Sequence, residues 1–68
     1  MRLKTLRTQR NISQLKLAMD LGLNQNSISR YEREERQADY QTLIRFADYF
    51  DVSIDYLLER TNNPKMNK

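Results

Sequence analysis

Residues 14–33 read QLKLAMDLGLNQNSISRYER. Two apolar patterns of helical spacing flank the chain's only glycine, Gly22. Before it, Leu15, Ala18 and Leu21 recur at i, i+3 and i+6, the stripe of an amphipathic helix. After it, Ile28 and Tyr31 repeat the spacing. Ser13 and Asn24 stand where each helix needs an acceptor for a free backbone N–H. Gly22 suits the left-handed residue that ends a helix. A link of so few residues with a glycine in it forces a steep crossing, the helix-turn-helix arrangement.

The same signals continue on both sides. Leu3 and Leu6 mark a first helix ending near Arg10. Asp39 is the cap of a fourth helix with Leu43, Phe46, Ala47 and Phe50 facing inward. Ser53 caps a fifth, with Ile54, Leu57 and Leu58. Four of the five starts thus carry Ser, Asn or Asp, and the agreement of cap with stripe predicts an all-α domain over residues 1–60. Residues 61–68 are polar, contain Pro64 and are expected to be a flexible tail.

Composition narrows the function. The chain has 68 residues, no Cys and no His, one Gly and one Pro. That removes disulfides, thiolate zinc sites and the commonest general base. No glycine-rich phosphate loop or paired carboxylates offer enzyme chemistry, and no cofactor is expected. Asp48, Asp51 and Asp55 do not alternate about a glycine as a calcium loop requires. The opening Arg2-Leu3-Lys4 is not the start of a signal peptide, and no apolar run approaches a membrane span, so a cytoplasmic protein is expected.

The net charge is +3, unevenly placed. Residues 1–33 carry seven basic and two acidic side chains, a balance of +5; residues 34–68 carry five and seven, a balance of −2. Such asymmetry favours one face for a polyanion. On a helical wheel Gln25, Asn26, Ser29, Arg30 and Arg33 share a polar face opposite Ile28 and Tyr31, with Glu32 at the edge of the buried side. Amides such as Gln25 and Asn26 suit bidentate contact with adenine, and Arg30 suits guanine or phosphate. Ser27 and Ser29 suit either backbone or base. Asn24 is read both as a cap alone and as a contact, and Arg33 both as a contact and as a partner for an acid. Arg10, Lys16 and Arg36 are candidates for phosphate.

The segment 14–33 resembles the helix-turn-helix of the XRE family, the phage repressor and Cro type. Ala18 falls where that family needs a small residue, Gly22 at its turn, and Ile28 at the β-branched core position of the recognition helix. Leu17, Leu21, Leu23 and Tyr31 match its other apolar positions. The flanks LRTQRNISQLKLA (6–18) and TLIRFADYFDVSIDYLL (42–58) extend the likeness over about residues 3–58. The resemblance implies a compact five-helix bundle of the lambda-repressor-like type. It implies that Gln14 touches phosphate and braces the third helix, and that Glu32 pairs with Arg7. It further implies a bacterial or phage regulator, a repressor in the first instance, binding a palindromic operator in double-stranded DNA as a homodimer. Helix five and the corner before it are the expected dimer contact.

No ligand domain is expected after residue 68, and any signal is then expected to act through a partner, proteolysis or competition. Where the family has a glycine, a basic loop and a proline, this chain has Glu34, Glu35 and Ala38, so Arg36 is the main loop candidate for phosphate. The competing reading is an antitoxin-like or regulator-binding module using the same fold, carried by the acidic C-terminal half and the apolar residues of helix five. Tyr40, Tyr49 and Tyr56 suit a partner surface, with a partly buried place in the core expected for at least one of them.

Overall fold

Five helices form among the described residues, four of them where a side-chain cap precedes an apolar stripe. The computed structural model describes residues 1–65. In chain order they are α1 (Leu3–Gln9), α2 (Gln14–Leu21), α3 (Gln25–Glu32), α4 (Tyr40–Phe50) and α5 (Ile54–Leu57), with no strand among the described residues. The radius of gyration is 11.1 Å, close to the roughly 11 Å expected of a chain this long when compact.

All four expected caps are made. Ser13 accepts from Lys16 N–H, Asn24 from Asn26 N–H, Asp39 from Thr42 N–H and Ser53 from Tyr56 N–H, at 2.7–3.0 Å. The first helix has no side-chain cap. Its start is tied to the far end of the chain: Arg2 N–H donates to Leu57 O at 2.7 Å, and the Arg2 guanidinium donates to Tyr56 O while lying over the Tyr56 ring.

Every helix ends in a left-handed residue: Asn11, Gly22, Glu34, Asp51 and Glu59, with φ between 55° and 65°. At each, two backbone N–H groups turn back onto the last carbonyls; Leu23 N–H reaches Ala18 O, and Glu35 N–H reaches Arg30 O. This is the Schellman arrangement, which satisfies acceptors the helix leaves free. Only one of the five positions holds the residue that adopts this φ without steric cost. Glu34, at the place where the resemblance puts a glycine, takes this left-handed angle with φ 59°.

The core joins Leu3 and Leu6, Leu17, Ala18 and Leu21, Ile28 and Tyr31, Phe46 and Phe50, Val52 and Leu57. Tyr31 meets Phe46 edge to face at 5.8 Å between ring centres. Two expected inward residues are corrected. Leu15 is 53% exposed and Leu58 39% exposed. On α2 the buried stripe runs through Leu17, Ala18 and Leu21 instead, because α3 packs on that face. The four-residue α5 turns only Leu57 fully inward. Val52, in the link before α5, takes a core place that helical periodicity does not reveal.

From the segment expected as a tail, Thr61 O and Asn62 Oδ1 accept from Arg2, and Pro64 O accepts from Ser53 N–H at 3.0 Å. The rest of that expectation, residues 66–68, lies outside the described residues.

Two measurements follow from the helix ends. Asp51→Gly removes left-handed strain and restores part of the cost as unfolded-chain entropy, so unfolding in urea should show a gain of about 0.5–1 kcal/mol. Hydrogen bonds from Thr42 hold the Asp39 carboxyl below its ordinary range. A lowered folded value means that this stabilisation is complete above the ordinary carboxylate pKa and is lost as pH falls through the folded one. Stability should therefore drop below about pH 4, with a shallower acid-side slope in Asp39→Asn.

Candidate nucleic-acid interface

Helices α2 and α3 are joined by Gly22, Leu23 and Asn24. Gly22 has φ 64°, and a Cβ there would meet nothing within 4 Å, so it is the backbone angle and not crowding that asks for glycine. Ala18 is 1% exposed on α2; a larger side chain at so buried a position would need space the packed core does not have.

The third helix is sharply two-sided. Ile28 and Tyr31 are buried, while Gln25, Asn26, Arg30 and Arg33 are exposed and Ser27 and Ser29 are half-buried. Among the described residues, the side chains of Gln25, Asn26 and Arg30 make no hydrogen bond. An amide and guanidinium row held on a rigid helix without internal partners is available to groups outside the chain. Arg33 does pair, with Glu35 at 2.9 Å across an exposed surface, a contact that is weak in water.

Glu32 faces the other way. Its carboxylate is 3% exposed and receives Arg7 Nε at 2.6 Å, a second guanidinium nitrogen of Arg7 at 3.1 Å and Gln14 Nε2 at 3.0 Å. Arg7 also donates to Ile12 O at 2.9 Å, ordering the link between α1 and α2. The hydrogen bond with Glu32 raises the pKa of Arg7. The acid that would repel phosphate is thus neutralised inside the protein, and Gln14 braces α3 from the start of α2.

The remaining basic candidates are already engaged in part. Arg10 donates to Phe50 O at 2.6 Å and lies over the Phe50 ring. Lys16 pairs with Asp20 at 2.7 Å on the surface of α2. Arg36 lies over the Tyr31 ring, 5.6 Å from its centre. Of the two loop acids, Glu34 accepts from the amino group of Met1 at 2.5 Å. That hydrogen bond comes first among the effects lowering the Glu34 pKa. The left-handed place of Glu34, and the engagement of Arg2, Arg45 and Tyr49 with distant backbone or side chains, had no signal in the sequence; only spacing across elements reveals them.

Removal of Glu32 should leave Arg7 and Gln14 without their shared acceptor. Glu32→Ala is expected to cost about 3 kcal/mol in urea unfolding, with Glu32→Gln milder because an amide oxygen still accepts.

A family model described as helix-turn-helix matches residues 3–57. Three curated proteins of Bacillus subtilis (strain 168) are similar over most of the chain. The uncharacterized HTH-type transcriptional regulator YqaE is 39% identical over 64 residues, 94% of this chain and 55% of its own length. The HTH-type transcriptional regulator ImmR is 36% identical over 67 residues, 98% of this chain and 53% of its own. The SPbeta prophage-derived uncharacterized HTH-type transcriptional regulator YonR is 34% identical over 61 residues, 90% and 56%. The chain spans about half the length of these relatives, and no helix among the described residues is long and apolar enough to cross a membrane. A two-sided α3 clamped on α2 through Gly22, within a five-helix core matched from end to end, places the chain in the XRE-type helix-turn-helix family, whose matched relatives are named as transcriptional regulators.

Proposed function

We propose that the chain binds double-stranded DNA sequence-specifically as a transcriptional regulator, a repressor, laying α3 in the major groove. The observation that carries this reading is the outward row of Gln25, Asn26 and Arg30, unpartnered within the described residues, beside a buried and neutralised Glu32. Groove reading needs donors and acceptors projecting together from a rigid helix. Gln25 and Asn26 lead, at the N-terminal end of α3; Arg30 and Arg33 follow a turn later, with Ser27 and Ser29 at the edges of the row.

Asn24 accepts from Asn26 N–H, and its cap role is sufficient to account for it; a contact from Asn24 would be an addition. Gln14, Arg36, Lys16 and Arg10 are assigned to phosphate. For Lys16 and Arg10 this means exchanging an internal partner for a phosphate oxygen, which is feasible for Lys16 because an exposed pair is weak. A single module of this size buries little DNA, so two copies on a palindrome supply the affinity and the symmetry, with α5 and the α4–α5 corner as their contact. The regulator names of the relatives support the same reading.

Selection of bound duplexes from a random pool is expected to return a symmetric pair of half-sites. In the same assay Gln25→Ala should change the preferred base at one half-site position. Arg36→Ala should weaken all sequences about equally and lower the salt slope by roughly one. Unchanged preference in the Gln25 variant would rule out this reading face.

A further inference from the structure

The pair α2–α3 is one packed unit, and its seat on α4 has two components, beside the Arg7–Glu32 tie to α1. Beneath it lies the apolar core of Phe46 and Phe50, both fully buried. Apolar contact is non-directional; it sets how close the elements lie more than how they are rotated. Two polar ties cross from α4 to the last turn of α2. Arg45 donates through its guanidinium to Leu21 O, the carbonyl of the last residue of α2. Tyr49, one turn further along α4, donates its hydroxyl to Asp20 Oδ2 at 2.6 Å. Residues four apart on a helix lie on one face, so Arg45 and Tyr49 grip adjacent residues, Leu21 and Asp20, from the same side. Both ties are made directly before Gly22, where the chain turns into α3.

We infer that Arg45 and Tyr49 are positioning residues that fix the angle of the reading helix relative to α4 and α5. The inference deepens the DNA-reading proposal and rests on it. Hydrogen bonds are directional where apolar packing is not, and these two act on the end of α2 from which α3 departs. Arg45 is exposed and Tyr49 half-buried, so removing either arm leaves the core intact. With the second copy held through α5 and the corner before it, the ties lie between the dimer contact and the reading helix. They thereby set the separation of the two reading helices, which is the separation of half-sites the dimer accepts. Neither residue touches DNA in this account. They determine spacing, whereas the side chains of α3 determine bases.

Selection from a random pool, followed by affinity for sites with one base pair added or removed between half-sites, tests this on the whole chain. Tyr49→Phe deletes one hydroxyl without changing charge; Arg45→Met deletes the other tie, and Arg45→Lys retains a donor. For Tyr49→Phe and Arg45→Met the expected result is unchanged half-site bases, with preference for the wild-type spacing reduced about tenfold and recovered in Arg45→Lys.

Wild-type spacing preference retained in Tyr49→Phe and Arg45→Met overturns the inference while leaving the DNA-reading proposal standing. A wild-type protein that selects no paired site overturns that proposal, and the inference falls with it. If Arg45→Met does not fold, as urea unfolding will show, Tyr49→Phe alone decides.

Discussion

Three helices converge on one carboxylate. Glu32, at the end of α3, is closed off from water and receives Arg7 from α1 and Gln14 from the start of α2. A buried acid with two of its partners on other elements is costly to leave unpaired, so this cluster allows few arrangements of the three helices. It adds little net stability over an apolar replacement. What it supplies is direction: α3 is rotated so that Glu32 points in, and Gln25, Asn26 and Arg30 consequently point out. The exposed row and the buried pair are two sides of one rotation.

A chain this short has a small core, and its helices are individually marginal. Its stability therefore depends on how the ends are closed. Four side-chain caps satisfy the starts of α2 to α5, while Schellman turns satisfy the last carbonyls of all five helices. Four of those turns use residues other than glycine. Glu34 shows why this is tolerated. Its backbone takes the left-handed angle, and its side chain, free in the loop, receives the amino group of Met1. The strain at the end of α3 is local, and the contact from Met1, just before α1, offsets part of it.

Helix α4 serves both the core and the α2–α3 pair. Its inner face carries Phe46 and Phe50 beneath the bundle; its flank carries Arg45 and Tyr49 onto the end of α2. Short α5 depends on its neighbours as well, with Arg2 at its end and Pro64 O against Ser53 N–H at its start. Short α5 and its flanks are thus knitted from residues distant in the chain.

Caps and turns are local, so Ser13, Gly22, Asn24, Asp39 and Ser53 announced the helix boundaries in the chain itself, and the spacing of Ile28 and Tyr31 announced which side of α3 is outward. The Arg7–Glu32 pair was foreseen only through likeness to a family, since no periodicity links residues 25 apart. Leu15 and Leu58 misled because helical spacing names a stripe without naming the neighbour; which stripe of α2 is buried depends on where α3 lies. Engagement of Arg10 by Phe50 O, the left-handed angle at Glu34, and the ties from Arg45 and Tyr49 belong to tertiary structure alone. Local sequence decides backbone hydrogen bonding within a few residues, whereas the partner of a long side chain is decided by which helix the folded core brings within its reach.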